Sequence, residues 1–390
     1  MRWLIFLIFL PVMCSAKSVE LGFPGLEHRV QVVLPDDYDP TKKYPAVFYY
    51  HGMGREPDTS LMRGHVDGRE WIVVGMTYYQ QEGFTYTAEA LKKERVLLRS
   101  VRMHLAESRG LDPKRCYVAG FSKGGWLVDL LLQVEPSLAG GVILGAGHLY
   151  KAGGRSAARK SEGRSVFVGV GRLDGNFPYA LRALVYHRSL GARTTFDLWH
   201  GLKHVLPKEG STALQQWLSL RVHSEKKLQA VARKEMLAEV NDADKLDPYR
   251  QWVRLRQLQD YPYSQILGDT WKKSLQGEMA TLEAVPPVQV EAGFLQSHRK
   301  LLIQEIKENT VSGMAKIKVG YQELIQKAPH AKQAELARHD HLRVQKLYHQ
   351  FQQQDAAGKG GVKMPSVGTD PIAPKDPERK RRVPGNPLLR

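Results

Sequence analysis

The sequence predicts an α/β fold, a mostly parallel sheet with helices on both faces, followed by an all-α C-terminal extension and a disordered basic tail. Three observations predict it. Up to about residue 223, short apolar runs of strand type alternate with amphipathic stretches, the pattern of parallel strands joined by crossover helices. One run, Arg115-Cys116-Tyr117-Val118-Ala119, leads into the glycine-framed serine Gly120-Phe121-Ser122-Lys123-Gly124 and then the apolar stretch 126–132, a strand–turn–helix unit. Beyond Ser224 the strand-type runs stop, and Ala-, Lys-, Gln- and Glu-rich helix formers take over.

In chain order, residues 28–34 alternate and predict an early antiparallel strand. Residues 44–50 predict a central strand ending in His51-Gly52-Met53-Gly54, and residues 71–76 the strand after that loop. Leu91, Val96, Leu97, Leu98, Val101 and Leu105 recur at helical spacing, so 87–109 is a helix. After the strand at 115–119 and the helix opening at Lys123 come strands at 141–145, 165–171 and 194–199. Helices are expected at 177–190 and 212–227, the latter closing the unit. The extension divides into helices at about 226–240, 248–259, 264–283, 291–326 and 330–353. Val344, Leu347, Tyr348 and Phe351 form a stripe on the last, which fits a bundle core better than a partner groove. No repeat returns at constant spacing. From residue 355 the chain is rich in Gly, Pro, Lys and Arg and is expected to be disordered. The expected units are 1–16, 17–223, 224–354 and 355–390.

The G-x-S-x-G form carries the chemistry. A serine on a turn so tight that its neighbours two before and two after must be small is lifted above the sheet edge, where a base can take its proton. Asp174 follows the strand 165–171; a carboxylate there can accept from a histidine Nδ1–H and stabilise the imidazolium, although a helix-cap role suits it too. Two histidines follow the next strand. His204 lies in the loop before the closing helix and is the preferred base; His200, still on the strand end, is the alternative. Gly52 and Gly54 allow close backbone approach, so the amides of Met53 and Lys123 are the candidate oxyanion donors. His51 is expected to orient its loop, and the Lys123 side chain to be a solvated bystander. No His, Cys and carboxylate cluster has metal-ligand spacing, and the chemistry calls for neither metal nor cofactor.

These residues together resemble the α/β-hydrolase superfamily. The chain is similar to small secreted serine esterases of the feruloyl-esterase and polyhydroxyalkanoate-depolymerase type. The likeness rests on Tyr44-Pro45 then His51-Gly52, the 120–125 elbow, Gly171-Arg172-Leu173-Asp174-Gly175-Asn176-Phe177, and Gly201-Leu202-Lys203-His204. It spans about residues 21–222 and departs at Lys123, where those relatives often carry Met, Gln, Asn or Ala. The resemblance implies a carboxylic ester hydrolase with a Ser122–Asp174–His204 triad. A peptidase or other acyl hydrolase is an alternative reading, and a non-catalytic binding protein working through its helical half is another.

Length and composition bound the rest. At 390 residues with 42% hydrophobic content, the chain can build a full core and more than one unit. Met1-Arg2, the apolar run 3–10 and the small-residue end Ser15-Ala16 predict a signal peptide, hence a periplasmic or extracellular protein. Of the two cysteines, Cys14 would leave with it, and Cys116 is expected to be buried and inert. The +17 formal charge is spread along the chain: residues 1–220 carry 28 Lys and Arg against 20 Asp and Glu, and residues 221–390 carry 29 against 20. The basic loop 151–164 leaves a strand on the active-site side and could rim a cleft for anionic small-molecule or polymeric esters, or be merely solvated. Export argues against a nucleic-acid partner for the basic tail, leaving weak contact with a polyanionic surface. Oligomeric state is not legible.

Overall fold

The computed structural model describes residues 18–23, 29–79, 87–149, 162–308 and 310–356. The predicted signal segment, most of the basic loop and nearly all of the tail lie outside the described residues. The strands are β1 (Ser18–Leu21), β2 (Val30–Val33), β3 (Tyr44–Tyr50), β4 (Ile72–Met76), β5 (Leu111–Phe121), β6 (Gly140–Leu144), β7 (Ser165–Gly171) and β8 (Arg193–Trp199). They form one sheet in the order β1-β2-β4-β3-β5-β6-β7-β8. β1 and β2 join antiparallel at one edge, and every pair from β4 to β8 is parallel.

The continuous apolar runs have a simple cause: their sheet is covered on both sides, so both side-chain sets of each strand need apolar residues. On β3, Ala46, Phe48 and Tyr50 enter one core while Val47 and Tyr49 enter the other. Along β7, Val166, Val168 and Val170 take the first face and Phe167 the second. The first face is covered by helices Ala88–Ser108, Lys123–Val134 and Phe177–Ser189, the second by Thr212–Val222.

The second core does not stop at residue 223. Trp217 and Leu218 share it with Leu228, Met236, Trp252, Leu255, Leu275 and Val288, so the first helices of the extension are layered onto the sheet through Thr212–Val222. Helices further along close a core of their own around Tyr321, Ala334, Val344 and Phe351. The expected stripe member Phe351 is fully buried there.

Several boundaries differ from the sequence expectation, each for a local reason. The stretch 212–240 breaks at Ser224, whose hydroxyl caps helix Glu225–Ala243. The single helix expected at 291–326 is two, Pro286–Glu305 and Val311–Lys327, the second capped by Thr310. Gly268, at φ +78°, separates the short helix Pro262–Ile266 from Gly268–Glu283. Residues 355–356, assigned to the disordered tail, complete helix Ala334–Ala356. β1 and the one-turn helix Ser60–Arg63 were not anticipated, being too short to show a period.

Candidate active site

Ser122 sits where β5 passes into the helix Lys123–Val134. Its φ of 55° is the single positive value for a non-glycine among the described residues. Such a conformation strains a residue bearing a Cβ by about 1–3 kcal/mol. Two hydrogen bonds hold it: Ser122 N–H donates to Leu144 O on β6 at 2.9 Å, and Trp126 N–H donates to Ser122 O at 3.1 Å. The flanking glycines leave the required space. A Cβ on Gly120 would lie 2.3 Å from the Gly124 carbonyl carbon, and one on Gly124 2.0 Å from Tyr50 O.

Asp174 leaves the end of β7 and is 3% exposed. Its Oδ1 accepts from Asn176 N–H at 2.9 Å, and its Oδ2 lies 2.7 Å from His204 Nδ1. His204 Nε2 in turn lies 2.8 Å from Ser122 Oγ. The structure thus brings Ser122, His204 and Asp174 into one hydrogen-bonded chain. With Nδ1–H donating to the carboxylate, Nε2 is left to accept from the serine hydroxyl. The bond to Asp174 holds the imidazole above its ordinary pKa, against burial, which lowers it. The His204 ring also stacks on Phe121, centroids 5.0 Å apart.

His200, the alternative base, is placed elsewhere. It lines a separate cavity with Arg172, Phe177 and Trp252, between the sheet and the helical extension. Gly201, at φ +73°, turns the chain between His200 and His204.

The 51–54 loop borders the serine. A Cβ on Gly52 would be 3.7 Å from Ser122 Cβ, and Gly54 has φ +69°. His51 is buried, its Nδ1 2.8 Å from Gly52 O, its ring edge-on to Tyr78, and its carbonyl accepting from the Tyr78 hydroxyl. Lys123 opens its helix, so its amide is among the first-turn donors that no carbonyl of that helix can satisfy. Its side chain corrects the sequence expectation. It is 3% exposed rather than solvated, with Nζ 4.2 Å from the Tyr78 ring centroid. Burial lowers its pKa, partly offset by Glu94. Aliphatic length lets the lysine reach the Tyr78 ring while buried, a feature no local pattern announces.

Other residues at the site went unmarked in the sequence. Asn176 Nδ2 donates to Gly145 O at 2.8 Å, tying the aspartate loop to the end of β6. Gly145, at φ +55°, leaves room beside Phe121 and His204, where a Cβ would approach 2.7 Å and 3.3 Å. His65 bridges two walls of the cleft, donating from Nδ1 to Leu61 O at 2.7 Å and accepting from Ser211 N–H at Nε2, 2.9 Å away. Only Asn176 carried a signal, its adjacency to Asp174.

The cleft above Ser122 has a volume of about 890 Å³. Met53, Leu61, Phe121, Leu206 and Pro207 give it apolar surface. Its charged lining is Arg55 and Lys208 with Glu56, Asp58 and Glu209, so the described walls carry no excess of positive charge. Of the basic loop, residues 151–161 lie outside the described residues. Arg164, its last member, is buried and not part of a rim, donating to Leu132 O and Glu135 O. Elsewhere the fold gathers Asp67, Glu70 and His223, ligand atoms within 4.8 Å of one another, a group sequence spacing did not announce. None of the three lines the cleft. Among the described residues no helix is long and apolar enough to cross a membrane.

No protein-family model matches the chain, and no curated protein does. Several solved structures are similar in fold. A mutant of the feruloyl esterase module from Clostridium thermocellum, complexed with sinapinate, is 19% identical over 50% of this chain and 84% of that one, with a TM-score of 0.38. The Bacillus cereus carboxylesterase is 19% identical over 49% and 93%, with a TM-score of 0.42. A ferulic acid esterase from Anaeromyces mucronatus, in complex with ferulic acid, is 17% identical over 49% and 85%, with a TM-score of 0.35. At these identities and TM-scores the likeness assigns no activity to this chain. The mostly parallel eight-stranded sheet, the strained serine between β5 and its helix, and the order serine, aspartate, histidine along the chain make this an α/β-hydrolase fold.

Proposed function

We propose that the protein is a serine hydrolase acting on carboxylic esters, with Ser122 as nucleophile, His204 as general base and acid, and Asp174 as the group that orients the imidazole. The single observation that carries the reading is the continuous chain from Asp174 Oδ2 through His204 to Ser122 Oγ, with steps of 2.7 and 2.8 Å. The strained φ at Ser122 supports it, since strain of this kind persists where function needs an exposed hydroxyl.

His204 Nε2 takes the Ser122 proton as Oγ bonds to the ester carbonyl carbon. The amides of Met53 and Lys123 are the proposed donors to the resulting oxyanion, worth about 3 kcal/mol each. Collapse expels the alcohol, which takes the proton back from Nε2, and leaves an acyl-Ser122 ester. Water then attacks that ester, giving its proton to His204; the second collapse releases the acid and restores the serine. The described cleft walls carry Arg55 and Lys208 against Glu56, Asp58 and Glu209, a slight negative excess that favours neutral esters over anionic ones. We further propose export, with residues 1–16 removed, testable by sequencing the amino terminus of the mature protein.

Labelling by a fluorophosphonate and turnover of short-chain aryl esters test the reading, with Ser122→Ala expected to abolish both. Full activity in that variant would refute it, and cleavage of peptides in preference to esters would replace it with the peptidase alternative.

A further inference from the structure

One buried side chain beside Asp174 is bonded by the helical extension. Arg172 is the second residue before Asp174, and it is 4% exposed. Its guanidinium passes beside the Phe177 ring, 4.5 Å from the centroid, and meets the carboxylate of Asp340 in a two-pronged contact. Nη1 donates to Oδ1 at 3.1 Å and Nη2 to Oδ2 at 2.5 Å. Asp340 belongs to helix Ala334–Ala356 and is completely buried. His298, on Pro286–Glu305, lies 2.7 Å from the same Oδ2. Arg343 donates to Asp340 and, at 3.0 and 2.7 Å, to both oxygens of Glu305, which also accepts from the Tyr321 hydroxyl. Two helices of the extension thus meet one arginine at the end of β7, and a third joins the network through Tyr321 and Glu305.

The backbone of that arginine lies at the joint between the two loops of the site. Arg172 N–H donates to Trp199 O at 2.9 Å, and Leu173 N–H to Leu202 O at 2.8 Å. Gly171 is so close to the second loop that a Cβ would lie 2.2 Å from Lys203 O. The segments 171–174 and 199–204 are thus bonded to one another along their length, one carrying Asp174 and the other His204. A guanidinium stays charged whatever its surroundings and binds a carboxylate in fixed fork geometry, so it transmits position as well as charge.

We propose that Asp340, with His298, is a positioning residue of the active site: through Arg172 it fixes the paired aspartate and histidine loops relative to Ser122, making the helical extension part of the catalytic machinery. The inference rests on the proposed serine-hydrolase reading. Misplacement of reacting groups by about 1 Å lowers rates by about a hundredfold, which sets the scale of the effect.

The test uses the full chain and three variants: Asp340→Asn, Arg172→Lys, and the double variant Arg172→Met with Asp340→Leu. The last replaces the Arg172–Asp340 pair by apolar side chains of similar volume; because Asp340 also bonds Arg343 and His298, the thermal midpoint reports whether the variant is folded at each assay temperature. Thermal midpoint, kcat and KM for an aryl acetate, and the rate of fluorophosphonate labelling are measured at several temperatures. The expected result is a fall in kcat and labelling rate of about tenfold to about a hundredfold in the double variant. KM is unchanged, the loss persists well below the thermal midpoint, and Arg172→Lys lies between. Wild-type kcat in the double variant overturns the proposal. So does a loss that disappears on cooling, because it reports stability alone. A wild-type protein that takes no label at all refutes the hydrolase reading itself, which keeps the two failures apart.

Discussion

Replacing Asp174 by asparagine keeps the shape of the side chain and removes its charge. In the structure the carboxylate is 3% exposed and 2.7 Å from His204 Nδ1. In the proposed mechanism, transfer of the serine proton to His204 forms an ion pair with charge centres about 4 Å apart; at an effective dielectric of about 20 this is worth about 4 kcal/mol. At 1.36 kcal/mol per decade, that is about three orders of magnitude in rate. A second loss adds to it. The asparagine amide can donate to Nδ1, which drives the ring proton to Nε2 and points it at Ser122 Oγ, the tautomer unable to accept. Together these give a fall of about ten-thousand-fold in kcat. The pH dependence changes as well. In the proposed mechanism His204 works as the neutral base, and Asp174 holds its pKa above the ordinary value, so wild-type activity is expected to fall as pH drops through that raised value. In Asp174→Asn the acidic limb of the kcat/KM profile moves to lower pH. Stopped-flow hydrolysis of an aryl acetate over a pH series reads both effects. A variant with wild-type kcat and an unmoved acidic limb would show that Asp174 does not act on His204.

Ser122→Gly should abolish activity yet raise stability by about 1 kcal/mol in urea unfolding, since glycine relieves the positive-φ strain at some entropic cost. Gly124→Ala should destabilise by about 3 kcal/mol or prevent folding, because the new methyl meets Tyr50 O at 2.0 Å; soluble yield and unfolding midpoint report it. Cys116 is fully buried and burial raises its thiol pKa, so a disulfide reagent should modify it slowly in native protein and quickly in urea. Asp129, buried on the helix after the serine, is bonded by His148 and His187 at 2.9 Å each. Burial alone would raise its pKa, but the imidazoles hold it below the usual value. Its contribution is therefore fully present above about pH 4 and lost as pH falls through the lower folded value. Asp129→Ala should cost about 3–5 kcal/mol at neutral pH and flatten the acid limb of the stability curve.

What was legible in the sequence shares one property: it depends on neighbours along the chain. The strand runs are readable because a sheet covered on both faces needs apolar residues at successive positions. The elbow is readable because Gly120 and Gly124 must make room within one turn of Ser122, a requirement confined to five residues. Asp174 and His204 could be nominated because each follows a strand end in chain order. The choice between His204 and His200 was not local. It is made by Gly201, which turns the chain, and by Gly145 and Phe121, which shape the place where the ring lies.

The Lys123 side chain shows where such reading stops. A lysine beside two glycines at a helix start looks solvated, yet Tyr78 and Glu94, from a distant strand end and helix, enclose it. Arg172 and Asp340 are separated by 168 residues, and neither stands in a pattern that names the other. The sequence alone determined the alternation of strands and helices, the strained serine turn and the chain order of the candidate groups, because periodicity and steric exclusion act over a few residues. Tertiary structure alone decided how the extension is layered on the sheet, where the Lys123 side chain lies and which carboxylate neutralises Arg172, because those outcomes depend on distances between segments the chain order leaves free.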